Sequence, residues 1–309
     1  MQKIAIYLTL LACGLVGLEP APARAGLILG DASRFVVLYE GDGGHHLQTT
    51  KVTVNGNIGI GAPSGSTTAE FKASGPGTIN GSIFFSQAVR ATLSNTIISG
   101  TITGNHSNVQ ADLNALNRLS AALGAEAGTG IAINTGGSGG SQTINAGAGA
   151  LDASGNRVFS VTSMQFNNQT TLKIHGDATG DPVVFNFRSN AHFGGAIVLN
   201  GLTSDQVLFN ITGGAGRAGG NTLQLNTNGA LLTGTFLDPN GAISVVHSRL
   251  TGRVFGGDSS DMQIASGDTL NAPRATAAPV PPSLALLLSA AIPLGLLAWH
   301  RRRLRIVPG

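Results

Sequence analysis

The strings LLTGTFLDP (231–239) and RLTGRVFGG (249–257) decide the fold. Within them, Leu232-Thr233-Gly234-Thr235-Phe236 is echoed 18 residues later by Leu250-Thr251-Gly252-Arg253-Val254. The surrounding stretch, 176–268, keeps the same manner in VVFNF (183–187), AIVLN (196–200), VLFNI (207–211) and TLQLN (222–226). A looser cadence runs upstream through VNGNIGI (54–60), INGSIFF (79–85) and ISGTITG (98–104). Short apolar-alternating runs, closed by Gly, Asn or Asp and with gaps too short for helices, predict strands stacked turn upon turn. The expected fold is mainly β, a right-handed β-solenoid.

Composition agrees. The 309 residues include 45 glycines without a collagen period, and only 11% are charged. The formal charge of +3 hides an asymmetry. Residues 26–273 carry 11 Lys/Arg against 14 Asp/Glu, a net of −3, so the basic excess lies in the ends. A nucleic-acid partner, which needs a basic folded body, is not expected. The single cysteine, Cys13, lies in the N-terminal apolar run, so the body uses neither disulfides nor thiolate metal sites.

Residues 1–25 predict a secretory signal peptide: Lys3, an apolar run over 4–18, and the small-x-small site Ala23-Arg24-Ala25. A lipoprotein signal ending at Cys13 fits less well, because its cysteine comes early. Residues 274–283 form a Pro/Ala linker. The uncharged run 284–299, closed by Trp299, His300 and the cluster Arg301, Arg302 and Arg303, predicts a C-terminal transmembrane helix with a cytoplasmic tail over 284–309. Val280-Pro281-Pro282-Ser283, an apolar helix and an arginine cluster together resemble the PEP-CTERM sorting signal of Gram-negative bacteria. The glutamate between the prolines of the usual motif is missing here. The resemblance implies export, envelope or surface location, at least transient membrane attachment, and an exosortase-like sorting protease as partner.

One body helix is predicted over 108–123, with Val109, Leu113, Leu116 and Leu123 on one face supported by Ala111, Ala115 and Ala122. Ser107 with Gln110 suggests a capping box, and Gly124 suits the position after the helix. Residues 124–150 read as a loop with one strand near Gln142–Asn145. The order of strands, helix NVQADLNALNRLSAAL and then strands resembles the choice-of-anchor A domain, an adhesive domain of bacterial surface proteins, over about 35–270. It is also similar to ice-binding proteins whose discontinuous β-solenoid is flanked by a helix. These resemblances imply a non-enzymatic domain over 26–273.

The candidate chemistries are weak. Gly136-Gly137-Ser138-Gly139-Gly140 fits G-x-S-x-G, but no strand and helix flank it as a nucleophile elbow requires. Gly214–Gly219 fits GxGxxG, yet a strand pattern follows where a helix is needed. The body histidines (45, 46, 106, 175, 192 and 247) show no metal-ligand spacing. Asp258, Asp261 and Asp268 fit turns better than a calcium loop. Pectinolytic catalysis needs carboxylates clustered with Lys or Arg; the carboxylates lie mostly in turns, and Lys173 alone among the lysines reads as mid-strand. No catalytic residue, cofactor or metal is assigned. Thr49, Thr50, Thr53, Thr101, Thr103, Thr170, Thr171, Thr233, Thr235 and Thr251 could contribute to an ice-binding face. No T-x-T repeat at constant spacing joins them, and Lys51, Arg249 and Arg253 interrupt. The expected function is an anchored adhesive or matrix-structural protein whose partners are polysaccharide, matrix or another cell. Ice binding is the alternative, and a polysaccharide-active enzyme the third reading.

Overall fold

The structure is a computed structural model and describes residues 27, 29–41, 45–62, 70–212, 222–257 and 261–273. The expected leader with Ala23 and Ala25, the GxGxxG loop, and the tail with residues 280–283 and 301–303 lie outside these. Among the described residues, no helix is long and apolar enough to cross a membrane; the run 284–299 is not among them.

The described strands form a coil with three faces. Each turn gives one strand to each face: Phe35–Tyr39, His46–Thr50 and Thr53–Asn55 make one turn, and Asn57–Ile60, Glu70–Ser74 and Gly77–Ile79 the next. Every pairing among the described strands is parallel except that of Ala150–Leu151 with Arg157–Gln165. The 18-residue echo is one turn of this coil: Leu232 pairs with Leu250, Gly234 with Gly252 and Phe236 with Val254. In Leu231–Asp238 and Arg249–Gly256 the chain passes from the third face to the first within one strand. Gly234 (φ 137°) and Gly252 (φ 152°) supply the bend. A Cβ on Gly252 would strike the Gly234 carbonyl.

The coil is discontinuous. Phe35–Tyr39 does not sit at an end but lies between Asn57–Ile60 and Arg249–Gly256, with Val37 opposite both Ile58 and Val254. Thr53–Asn55 likewise lies between Gly77–Ile79 and Thr269–Asn271. The first described strand lies mid-coil, and from it the chain winds to one end at Ile102–Thr103. It then runs through helix α1 (Ser107–Ala125), restarts at Thr129–Asn134, and winds back to close against its own beginning. That strand, Thr129–Asn134, corrects the expectation of a loop before Gln142; its TGIAIN pattern is masked by neighbouring glycines.

The core fills the coil axis with side chains repeated in register. Phe159, Phe185, Phe209 and Phe236 stack at centroid separations of 5.2, 5.3 and 4.8 Å, with ring planes within 16° of parallel. Those separations follow from the strand spacing. The corner between the second and third faces repeats too. Asn95, Gly75, Lys51, Ser266, His247 and Asn228 occupy it on successive turns, all at positive φ. A left-handed residue on each of these turns, joined by Gly229 and Gly267 on two of them, makes this corner tight.

Helix α1 covers the outer side of the first face. Val109, Leu113, Leu116 and Leu123 pack with Leu38, Val184, Leu208, Leu237 and Phe255. Two in-register asparagines on the sheet pin its last turns. Asn210 Nδ2 donates to the Ser120 carbonyl (3.0 Å) and to Asn186 Oδ1 (2.8 Å), and Asn186 Nδ2 donates to the Leu123 carbonyl (2.7 Å). Arg34 pairs with Asp112 at 2.8 Å, and Asn117 donates to Glu40 at 2.7 Å. Three details differ from expectation. The helix starts one residue early, capped at His106 with no side-chain capping bond. Ala111, Ala115 and Ala122 are exposed, and Asp112 and Ser120 take the buried positions instead. Gly124 is helical, and a Cβ there would lie 2.5 Å from Thr212 Cγ2, so glycine serves close approach rather than a left-handed cap.

Candidate binding face

Of the three faces, the first is covered by α1. The second carries one charged turn, where Lys72 lies 3.3 Å from Glu70; at its edge His46 Nδ1 lies 3.0 Å from Asp261. The third combines an aliphatic inner line with outward rows of hydroxyls and amides. Leu232, Leu250, Leu270, Val54 and Ile79 point into the core there, each at 0% exposure. On either side of that aliphatic line two columns face outward. One reads Thr233, Thr251, Asn271, Asn55, Asn80 and Ser99 on six adjacent strands, all uncharged. The other reads Leu231, Arg249, Thr269, Thr53, Thr78 and Ile97.

Three adjacent turns therefore present Thr-x-Asn: Thr269 and Asn271, Thr53 and Asn55, Thr78 and Asn80. Strand geometry sets the lattice at about 4.8 Å between turns and about 6.7 Å between columns. The asparagines are locked. Asn80 Nδ2 donates to Asn55 Oδ1 and Asn55 Nδ2 donates to Asn271 Oδ1, both at 2.7 Å. Each bond fixes an amide's orientation and leaves its second N–H and a carbonyl lone pair for a ligand. A preordered array loses little side-chain entropy on binding.

A pocket of about 300 Å³ opens at the edge of this face, lined by Lys51, Thr53, Thr78, Asn95, Ile97 and Asp268 among others. Asp268 has no exposed surface; its carboxylate accepts the Ser248 N–H (2.5 Å) and the Ala265 N–H (3.0 Å). Burial pushes its pKa up to about 6, against those two bonds and the nearby His247. It ties a corner together.

The other singled-out residues are dispersed. Ser138 is exposed in a turn and bonds to Gln169 Oε1 at 2.7 Å, without a histidine or carboxylate partner. Among the described residues no group of His, Cys, Asp or Glu could hold a metal ion; Asp258 lies outside them. Lys72 is mid-strand as well as Lys173, a correction to the sequence reading. Arg157 lies 3.1 Å from Asp177 and 3.0 Å from Asp181, and this trio binds a corner turn. Arg253 does not interrupt an outer face, because it is buried against Asp205 and the Ser33 carbonyl. Thr49, Thr170 and Thr235 are buried, whereas Thr53, Thr233 and Thr251 face outward on the third face. The sequence reading missed Thr78, Thr269 and all three asparagines. The triplets TVN, TIN and TLN are visible at 53–55, 78–80 and 269–271. Nothing local says that the third lies beside the first.

Fold and face together define a helix-flanked, largely parallel β-solenoid with one uncovered polar side. The chain belongs to the family described as "Putative Ice-binding-like adhesive domain", whose model matches residues 27–265. Solved structures similar to it include an ice-binding protein from the Antarctic ascomycete Antarctomyces psychrotrophicus (18% identity, 80% of this chain and 98% of that one, TM-score 0.48). Another comes from an Antarctic biological consortium (16%, 84% and 96%, TM-score 0.49), and a third from Shewanella frigidimarina (16%, 82% and 99%, TM-score 0.45). No curated protein matches the sequence.

Proposed function

We propose that this chain is an exported, envelope-held, non-enzymatic adhesive protein that binds an extended polysaccharide or matrix surface through the third face of a right-handed coil. The observation that carries the reading is the uncharged six-strand column of hydroxyls and amides on a backbone the core holds rigid. Such a lattice suits a ligand with repeated hydroxyl groups. Weak contacts at each turn add along a polymer, and many copies on one envelope add again. The tail 284–309, sorted by an exosortase-like protease acting at residues 280–283, would supply the attachment.

Ice is the second reading, favoured by Thr-x-Asn on three adjacent turns. Arg249 and Lys51 beside that strip weigh against it, since strongly hydrated charges disrupt an ordered water layer. Co-sedimentation of the full chain with insoluble polysaccharides, run beside an ice-recrystallisation assay, separates the two. Pelleting with polymer and ordinary ice growth is expected; arrested recrystallisation with no pelleting overturns adhesion.

A further inference from the structure

The folded body is net negative, yet the third face is not. Among the described residues its cations are Lys51 at the corner beside Thr53 and Arg249 two turns along, both exposed, and Lys173, half-buried, three turns beyond that. With strands about 4.8 Å apart, the three span roughly 24 Å along the coil axis. None of them is in an ion pair among the described residues. The carboxylate bordering this face, Asp268, is buried and committed to two backbone N–H groups. The remaining acids near its edges are engaged as well: Asp177 and Asp181 by Arg157, and Asp205 by Arg253. Two free cations beside a hydroxyl and amide lattice, with a third farther along the same face, have one sign of charge left to satisfy.

We infer that the ligand of the third face is an acidic polysaccharide lying along the coil axis, its carboxylates or sulfates meeting Lys51, Arg249 and Lys173 while its hydroxyls meet the Thr-x-Asn strip. This inference rests on the adhesive reading and narrows it. The pocket beside Lys51 and Thr53 would take a sugar ring, with Ile97, 69% exposed, as its apolar wall. Nucleic acid is disfavoured because three cations over this length are sparse for a phosphate backbone, and among the described residues no Phe, Tyr or Trp faces outward here to stack a base.

The test measures binding of the full chain to polygalacturonate, to neutral dextran and to double-stranded DNA at low and physiological salt. Polygalacturonate should bind most tightly and weaken with salt. Lys51→Asn, chosen because asparagine tolerates φ 56°, and Arg249→Gln should each weaken it roughly fivefold. The double variant should lose most binding while its melting temperature stays near wild type. Equal affinity for dextran, or an unaffected double variant, overturns the acidic ligand but leaves adhesion standing. Preference for DNA overturns it in favour of nucleic acid. Absence of binding to any polymer sinks both the inference and the adhesive reading.

Discussion

Asp268 shows how a single buried group sets a pH response. An unfolded aspartate ionises near 3.8, whereas this one holds its proton up to about 6. Between those values the native chain binds more protons than the unfolded chain, so the Asp268 contribution to stability falls as pH rises through that window. Asp268→Asn should remove that slope, read as the difference between wild type and variant in urea titrations at intervals across it. A variant that keeps the wild-type slope contradicts the assignment. The left-handed corner gives a paired prediction. His247 (φ 48°) bears a backbone conformation that costs a non-glycine residue about 1 kcal/mol. His247→Gly should therefore stabilise by up to about 1 kcal/mol, less the extra entropy of glycine in the unfolded chain. A methyl group on Gly267 (φ 82°) would meet nothing within 4 Å, so Gly267→Ala should cost about 1 kcal/mol through the backbone alone. Denaturant midpoints at unchanged slope check both.

At the scale of the element, helix α1 depends on a polar anchor as well as an apolar stripe. Asn210 has no exposed surface, and Asn210→Ala would strand Ser120 and Asn186 beneath the helix. A loss of about 3 kcal/mol is expected, with early hydrogen exchange in residues 117–125. The apolar stripe was legible because Val109, Leu113, Leu116 and Leu123 keep helical spacing. The anchor was not, because Ser120 and Asn210 are 90 residues apart. The exposed alanines were misassigned for the same reason: Asp112 reads as a surface residue until Arg34 is placed beside it. The 18-residue echo, by contrast, could be read directly, since a rung is one strand-turn period and identical positions stack.

At the scale of the whole molecule, the decisive feature is closure of the coil in its middle. The sequence shows strands that stack, and the family resemblance implied a discontinuity. Neither places Thr269–Asn271 against Thr53–Asn55, which only the return of the chain to its start achieves. The binding lattice is thus built from both ends of the domain, and its unity was hidden by more than 200 residues of intervening chain. Such long-range closure predicts slow, cooperative folding. The central claim is that this composite face holds the ligand. Asn55→Leu breaks the amide ladder on both sides, while Gln263→Leu makes the same kind of change on the second face, where Gln263 pairs with Gln48 and Ser244. The most direct measurement is co-sedimentation of the full chain and these two variants with insoluble polysaccharide. The account predicts that Asn55→Leu loses most binding and Gln263→Leu keeps it; the reverse pattern would contradict it.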